Sequence, residues 1–308
     1  IYVFKSNAWS TVYTFASALT STQIDYYQTQ INSVDSLIVA TGKTQMVKIN
    51  LTDDSAVLFG TGETSFSGTV DSYNAGTKVI TLSATLSAEA LRHAPLDGIT
   101  INGVLLEVES ATGATVTLSD APESEPTHGQ TATIRGGGST AKCNFVDMHY
   151  GRLFSCGDPD HPCRLYWSAV PGDGRTYEDW LSVDGSEDAS GGSVEIGDAS
   201  GDAIIGLSVL ATETLVFKRY SVYRVRGDRP SQYAIERVEN FSEQMSNASV
   251  VVKYNTPQYI TMSGVHYYDG TGILPMDQGV KYLKTFFESL NSVSESKGVH
   301  CANKLYFS

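Results

Sequence analysis

Two strand-like runs, in which successive side chains point to opposite sides, flank a short polar turn in Glu213-Thr-Leu-Val-Phe-Lys-Arg-Tyr-Ser-Val-Tyr-Arg-Val-Arg-Gly227. Leu215 and Phe217 point to one side of the chain and Val216 to the other, and the alternation resumes after Lys218–Ser221. Alternation of this length, rich in β-branched and aromatic residues, is typical of paired strands. The segment therefore predicts a half-buried antiparallel hairpin.

The same pattern recurs elsewhere in the chain. Further copies occupy 35–42 with 45–49, 151–157 with 164–168, 258–270, and the beginning of another at 303–308. The distance is 62 residues from Leu153 to Leu215, 44 from Leu215 to Tyr259, and 46 from Tyr259 to Leu305. Repeats of about 40–50 residues with four strands each are typical of β-propeller blades. The sequence therefore predicts an all-β chain containing a partial or complete β-propeller, and unrelated hairpins in one large sandwich are the alternative.

The composition is that of a globular protein. The chain has 308 residues, of which 41% are hydrophobic and 18% charged, so it can bury a sizeable core. No run of about 18 apolar residues occurs, which predicts no membrane-spanning helix, and no signal peptide is visible. Because the chain begins at Ile1 and ends at Ser308 inside an apparent strand, we expect the functional protein to be longer, or this chain to be its ordered portion.

Residues 52–138 differ from the rest in charge and carry an internal repeat. They contain eleven acidic and three basic residues, a balance of −8 within a total of −13. Two strand–turn–strand segments match when Val70 is aligned with Val108 and Leu82 with Leu118. The repeat predicts a small antiparallel β-barrel or sandwich. Its acidity indicates a solvated face, with a cation or a basic partner as the alternative.

These observations predict three parts. Residues 1–51 form the first part of the propeller, 52–138 an inserted acidic β domain, and 139–308 the second part of the propeller. A flexible glycine-rich linker is expected at 136–139. An amphipathic helix is expected at about 279–297, because apolar residues there recur at spacings of three and four.

The four cysteines do not form a disulfide framework, since Cys143, Cys156, Cys163 and Cys301 are too sparse for one. Cys156 and Cys163 flank a loop that contains His161, which raises the possibility of zinc. The spacing does not match a structural zinc site. We therefore predict free thiols and no metal ligands here.

An acidic stretch between residues 184 and 202 is the other candidate for a cation. Its acidic residues are Asp184, Glu187, Asp188, Glu195, Asp198 and Asp202. Loop oxygens of this kind bind calcium, but the order of ligands in an EF-hand loop is absent. A solvated acidic loop is predicted, and cation binding is left open.

No catalytic grouping is evident in the sequence. The histidines (His93, His128, His149, His161, His266 and His300) are scattered, and no HExxH, GxSxG, P-loop or GxGxxG motif occurs. Asp173-Gly-Arg-Thr-Tyr-Glu-Asp-Trp180 resembles the Asp-box of sialidases, but the serine and the spacing differ and it occurs once. We predict no enzyme, no catalytic, cofactor-binding or metal-binding residues, and no cofactor.

One local cluster of basic residues lies on and after the first hairpin. It comprises Lys218, Arg219, Arg224, Arg226 and Arg229. In an acidic protein this cluster is a poor footprint for phosphates. We expect these residues to pair with carboxylates of an adjacent subunit.

Several ordered motifs between residues 142 and 308 together resemble β-propeller virion proteins of tailed bacteriophages, the group that includes tail nozzle and packaged-DNA stabilisation proteins. These motifs are Arg152-Leu-Phe-Ser-Cys-Gly-Asp-Pro-Asp-His-Pro-Cys-Arg-Leu-Tyr-Trp-Ser-Ala169, Glu178-Asp-Trp180, Ile196-Gly-Asp-Ala-Ser-Gly-Asp-Ala-Ile-Ile-Gly-Leu207, Leu215-Val-Phe-Lys-Arg-Tyr-Ser-Val-Tyr-Arg-Val225 and Gly264-Val-His-Tyr-Tyr-Asp-Gly-Thr-Gly-Ile-Leu-Pro-Met276. The similarity extends weakly to 1–51 and leaves out the acidic domain.

The resemblance implies a structural, non-enzymatic component of a phage tail, located in the virion. It implies a nozzle or tail-tip ring, expected to be a hexamer, that contacts portal, adaptor and tail-fibre proteins and surrounds the DNA exit channel. Double-stranded DNA would pass without specific binding, since a negative lumen repels phosphates. A receptor-binding or fibre-attachment tail protein is the first alternative, and a propeller glycosidase is the second.

Overall fold

The structure is a computed structural model. It describes residues 1–5, 8–15, 24–180, 188–197, 201–240, 245, 250–253, 256–261, 264–276, 298–301 and 304–307. Contacts within the chain divide it into two compact units: the first comprises Ile1–Leu58, Ala141–Trp167 and Ser193–Ser308, and the second comprises Phe59–Thr140 and Ser168–Gly192. The sequence analysis placed the inserted domain at 52–138, so the second unit begins later and also takes in a distant segment.

The first unit begins with a hairpin and a four-stranded sheet. Strands β1 (Tyr2–Lys5) and β2 (Ala8–Thr11) pair with each other. The antiparallel sheet that follows contains β3 (Asp25–Ile31), β4 (Val34–Ala40), β5 (Val47–Asn50) and β6 (Ala56–Leu58), in sequence order.

The second unit consists of one seven-stranded sheet and a helix. Its elements are β7 (Gly60–Asn74), β8 (Val79–Leu82), α1 (Ala88–Asp97), β9 (Ile99–Ile101), β10 (Val104–Leu106), β11 (Val108–Thr112), β12 (Thr115–Leu118) and β13 (Thr131–Ser139). The order across the sheet is β10-β9-β13-β7-β8-β12-β11. A single residue, Glu107, separates β10 from β11, so one continuous stretch of chain supplies both edges of the sheet.

The remainder of the first unit contains three more four-stranded antiparallel sheets, again in sequence order. They are β14 (Phe145–His149), β15 (Arg152–Cys156), β16 (Arg164–Trp167) and β17 (Gly192–Glu195); β18 (Ile204–Val209), β19 (Glu213–Lys218), β20 (Ser221–Arg226) and β21 (Ala234–Asn240); and β22 (Val251–Lys253), β23 (Thr256–Thr261), β24 (Gly264–Tyr268) and β25 (Ile273–Pro275). A short 3-10 helix, Pro230–Gln232, precedes β21, and β26 (Gly298–Cys301) pairs with β27 (Lys304–Phe307). The prediction of an all-β chain is therefore confirmed.

The first predicted hairpin is present as β19 and β20, but it is more buried than expected. Leu215 and Phe217 pack in one cluster with Tyr259 and Tyr268 of the next sheet. Val216 packs in another cluster, with side chains of the preceding sheet. All six residues of β19 are buried. The expectation of a half-buried hairpin is wrong, because neighbouring sheets cover both faces.

Successive sheets of the first unit are also joined by half-buried carboxylates. The Val146 amide donates to Asp25 Oδ2 at 3.0 Å, which joins β14 to β3. The Val209 amide donates to Asp147 Oδ2 at 3.3 Å, which joins β18 to β14. Burial raises the pKa of Asp25 to about 6 in spite of its hydrogen bonds to backbone amides, and it raises the pKa of Asp147 as well. The first strands of three successive sheets are thus joined by the same kind of hydrogen bond.

The internal repeat of the second unit is confirmed in its register. Val70 pairs with Leu82 and Val108 pairs with Leu118. In both hairpins the register shifts at the same place, between Val70 and Ser72 and between Val108 and Ser110. A β-bulge bends its strand and increases the local twist. The two repeats therefore curve alike around one core.

Two expectations for this unit are wrong. Residues 136–139 are not a flexible linker, because they continue β13 and pair with β7. The sequence analysis also missed α1, which begins at the N-cap Ser87, whose hydroxyl accepts a hydrogen bond from the Ala90 amide at 3.1 Å. Ala90 and Ala94 are fully buried against the core of the sheet.

After β2, the amides of Val12 and Tyr13 donate to the Ile1 carbonyl. Strand β22 opens the fourth four-stranded sheet. The expected helix at 279–297 lies outside the described residues. Across the described parts of the chain, no helix is long and apolar enough to cross a membrane.

Candidate functional site

Within the described part of the chain, a group of charged side chains that contact one another lies in the second unit, on one face of α1. Glu89, His93 and Asp97 follow one another at intervals of four residues, which places them on the same side of a helix. His93 Nδ1 lies 2.5 Å from Asp97 Oδ2, and His93 Nε2 lies 2.7 Å from Glu89 Oε1. The helix therefore presents an imidazole held between two carboxylates.

The segment after Ser168 supplies the opposite half of this group. Arg92 binds the carboxylate of Asp179 with both terminal nitrogens, at 2.6 and 2.8 Å. His93 Nε2 lies 3.2 Å from the same carboxylate. The Thr176 amide donates to Asp179 at 2.7 Å, and Arg175 lies 3.4 Å from Asp97. We refer to Glu89, Arg92, His93, Asp97, Arg175 and Asp179 as the ion cluster.

The protonation states follow from this geometry. Burial lowers the pKa of His93, but hydrogen bonds to Asp179, Asp97 and Glu89 outweigh it and raise that pKa to about 10. Burial raises the pKa of Asp179, but hydrogen bonds from His93 and Arg92 outweigh it and hold that pKa well below its ordinary value. At neutral pH three cations therefore face three carboxylates, and the ion cluster has no net charge.

The ion cluster includes three possible metal ligands. One ligand atom each from Glu89, His93 and Asp179 lies within 4.8 Å of the others. A metal requires a neutral imidazole nitrogen, whereas hydrogen bonds to Asp179, Asp97 and Glu89 raise the pKa of His93 to about 10 and so favour the protonated ring. Arg92 also lies 2.8 Å from that nitrogen and shares Asp179 with it, so the guanidinium supplies the positive charge that a metal would bring. The arrangement is that of a structural ion network joining α1 to the Ser168–Gly192 segment.

The segment resembling an Asp-box contributes to this network. Asp173 is exposed, whereas Asp179 is 1% exposed and is bound by Arg92 and His93. A glycosidase acid must be protonated at working pH, and its partner must face a substrate cleft. Asp179 cannot be the acid, because two cations hold its carboxylate ionised. It cannot be the partner, because its carboxylate is buried.

The ion cluster was not predicted from the sequence. His93 was noted there as one of several scattered histidines. The available signal was the series Glu89, His93, Asp97 at helical spacing, but it has meaning only once this segment is known to be a helix. The sequence predicts only β structure for residues 52–138, and in a strand residues four apart do not form a helical face.

The cysteine loop shows no zinc arrangement. Cys143, Cys156 and Cys163 are buried free thiols, while His161 is exposed. Burial raises the pKa of Cys143 to about 12 and that of Cys156 well above its ordinary value. Thiols held protonated in this way are poor ligands and poor nucleophiles. Cys301 is described by its backbone only.

The described acidic residues between 184 and 202 have protein partners. Asp202 accepts hydrogen bonds from the Tyr220 amide at 2.9 Å and from the Ser221 hydroxyl at 2.6 Å. Glu195 pairs with Arg164 at 3.0 Å. Asp184, Glu187 and Asp198 lie outside the described residues, so cation binding by the whole loop stays a prediction.

The basic cluster on the first hairpin has partners within its own chain. Arg224 pairs with Glu236 at 2.6 Å, and Arg226 pairs with Glu213 at 2.9 Å. Lys218 is buried and donates to the Ile196 carbonyl at 2.8 Å. These three residues therefore already have partners in the first unit, and pairing with an adjacent subunit stays a prediction.

Comparison with known proteins gives no family. No protein-family model matches the chain, and no curated protein matches it in sequence. Among solved structures, the chain is similar to the extracellular domain of a hybrid two-component system from B. thetaiotaomicron, with 11% identity and a TM-score of 0.32. That match covers 96% of this chain and 32% of the other, so the chain spans about a third of its length.

Proposed function

We propose that this chain is a non-enzymatic structural protein of a bacteriophage tail, in which the first unit forms blades of a β-propeller around the DNA exit channel. The observation that carries the proposal is the series of four-stranded antiparallel sheets in sequence order, each packed on the next. Sheets of this kind arranged about an axis are the architecture of a propeller. The motifs that resemble phage propeller proteins lie largely in the same unit.

The contacts between sheets support a radial arrangement. Strand β14, the first of its sheet, contacts β3 and β18, which are the first strands of the sheets before and after it. In a propeller the first strands lie nearest the axis and therefore meet their counterparts. The hydrogen bonds to Asp25 and Asp147 connect these same strands.

The charge of the protein suits a conduit for DNA. The net charge of −13 opposes retention of phosphates, which favours a duplex that slides over one that binds. Arginines of the first hairpin that could hold phosphates are paired with Glu213 and Glu236. The proposed assembly is a ring of identical chains, expected to be a hexamer, in contact with portal, adaptor and fibre proteins.

Electron microscopy of the purified protein and of the virion tests this function. We expect closed rings of the isolated chain, and antibody or gold label at the axis of the tail. The proposal is refuted if the protein remains a monomer at virion-like concentrations and no label appears on the axis. Duplex DNA should not be retained by the ring at physiological salt.

A receptor-binding or fibre-attachment tail protein is the second candidate. It is favoured by an open cavity bordered by exposed apolar side chains in the second unit. Label on peripheral appendages of the virion, with none on the axis, would support this candidate over the first.

A further inference from the structure

A cavity of about 450 Å³ opens beside β10 in the second unit. One wall is formed by β10 itself, with Val104, Leu105 and Leu106. The opposite wall is the loop after β12, which runs from Asp120 to Ser124. This volume is within the usual range for a binding site, and none of the ion cluster residues lines it.

The cavity lies beside β10, the strand from which the chain passes to the other edge of the sheet. Strand β10 pairs with β9 on one side and, within the described chain, with no strand on the other. After Glu107 the chain continues as β11, which pairs with β12 at the other edge of the sheet. The Ser119 amide donates to the Glu107 carbonyl at 3.1 Å. The unpaired edge of β10 therefore belongs to a strand whose residues line the cavity. Pro122, another lining residue, has no amide hydrogen to donate.

The side chains beside this edge are unusually exposed for their type. Val104 is 61% exposed and Leu105 is 64% exposed, the highest values for aliphatic side chains among the described residues. An edge strand with adjacent apolar residues is a template for an added strand, and proteins usually protect such edges with charge or proline. Strand β10 itself carries neither.

The charge around the cavity is of one sign. Glu107, Asp120 and Glu123 line it, and no Lys, Arg or His is among its described lining residues. The whole segment 52–138 has a balance of −8. A strand entering the cavity would therefore be attracted if it carried cationic side chains and repelled if it carried carboxylates.

We propose that β10 and this cavity form a docking site for an extended segment of a partner protein that alternates apolar residues with Lys or Arg. The segment adds to the sheet as a strand on β10. Because neighbouring residues of a strand point to opposite faces, its apolar side chains cover Val104 on one face, and its cations lie beside Glu107 on the other face with their aliphatic stems over Leu105. Asp120 and Glu123 add to the negative charge that these cations meet. A second copy of this chain fits poorly, because its own β10 would bring three further carboxylates to the same place. The site is independent of the ring proposed above.

The proposal is tested with the full chain and three labelled peptides, using fluorescence anisotropy. The first peptide alternates Lys and Val over eight residues, the second has Glu in place of Lys, and the third keeps the charge but has Pro at alternate Val positions. We expect saturable binding of the first peptide only. Proline removes the backbone donors that strand addition needs, and Glu reverses the electrostatic attraction.

Two variants and two matched controls locate the site. Replacing both Val104 and Leu105 by Ser should weaken binding of the Lys/Val peptide by about tenfold, because the apolar contact area is lost. The control replaces Val57 and Leu58 by Ser; these residues are 53% and 45% exposed on β6, also an edge strand. This control should leave the affinity unchanged.

The charge requirement has its own pair of variants. The first variant is Glu107→Gln, Asp120→Asn and Glu123→Gln combined, and it should weaken binding by about fivefold to tenfold. Its control neutralises the same number of acidic residues of this unit outside the cavity, with Asp71→Asn, Glu109→Gln and Glu125→Gln.

The inference is overturned if the proline peptide binds equally, if the two sets of variants behave alike, or if no peptide binds below millimolar concentration. A dimer of this chain that the Val104 and Leu105 changes dissociate would also overturn it, in favour of self-association.

Discussion

Replacing Asp179 by Asn should selectively destabilise the second unit. The change keeps the shape of the side chain but removes the negative charge that Arg92 and His93 share. Asparagine can accept from one of these donors, and its own amide hydrogens then face the others. The buried His93 and the half-buried Arg92 would remain opposite the carboxylates of Glu89 and Asp97, with one fewer partner between them.

The magnitude follows from the burial of the group. Breaking a buried ion pair by removing one partner costs about 3–5 kcal/mol. Asp179 is 1% exposed, but Arg92 is 19% exposed and can recover some hydration, so we expect the lower end of that range. With a urea dependence of about 2 kcal/mol per molar, the midpoint of unfolding should fall by about 1–2 M.

Trp180 provides a local signal for this measurement. It is buried in the second unit and its ring lies 6.0 Å from that of Phe59. In a Trp9→Phe, Trp167→Phe background it is the single tryptophan, so its fluorescence in urea reports unfolding of this unit. The matched control is Asp173→Asn, an exposed position at φ 49° where Asn is well tolerated. If the two changes shift the midpoint equally, the ion cluster does not stabilise the unit as described.

Three other perturbations test the remaining charged groups. Because the pKa of His93 is raised from 6.5 to about 10, the contribution of its protonated ring to the free energy of unfolding is complete below pH 6.5 and is lost as the pH rises towards 10. Urea titrations in the Trp180 background should show stability falling with pH over this range, and His93→Gln should reduce that dependence. Because burial raises the pKa of Asp25 from 3.8 to about 6, ionisation costs stability as pH rises through that window. At pH 8 the Asp25→Asn variant should therefore unfold no more readily than the original, whereas Asp25→Ala should lose about 1–2 kcal/mol with the Val146 hydrogen bond, both by calorimetry. Tyr268→Phe removes a hydroxyl that donates to Glu213 at 2.8 Å and should cost about 1–2 kcal/mol, measured against Tyr267→Phe as the control.

The parts of the fold that were predictable are those in which local pattern and pairing agree. Strands β19 and β20 end where the alternation ends, and the repeat in the second unit appears as two hairpins with equivalent bulges at Asp71 and Glu109. Local pattern did not reveal α1. Its sequence, Ala-Glu-Ala-Leu-Arg-His-Ala-Pro-Leu-Asp, contains Pro95 and a weak apolar stripe, so tertiary packing of Ala90 and Ala94 decides its conformation.

The ion cluster could not be predicted for a different reason. Arg92 and Asp179 are 87 residues apart in the chain, and nothing in the sequence near Asp179 identifies its partner. Charges distant in sequence come together only when the fold places them, and their spacing then carries no periodicity. The same holds for Asp25 and Val146, which are 121 residues apart.

The half-buried carboxylates of Asp25 and Asp147 and the buried carboxylate of Glu213 favour one order of the sheets of the first unit over others. The apolar faces that meet between sheets are rich in the same residue types, so hydrophobic contact alone distinguishes neighbours poorly. Asp25, Asp147 and Glu213 each bind one group of one particular neighbouring sheet. A sheet packed beside the wrong neighbour would leave such a carboxylate buried without its donor, at a cost of about 1–3 kcal/mol or more. Beyond the hydrogen bonds that they make in the native order, these residues therefore raise the free energy of the alternatives.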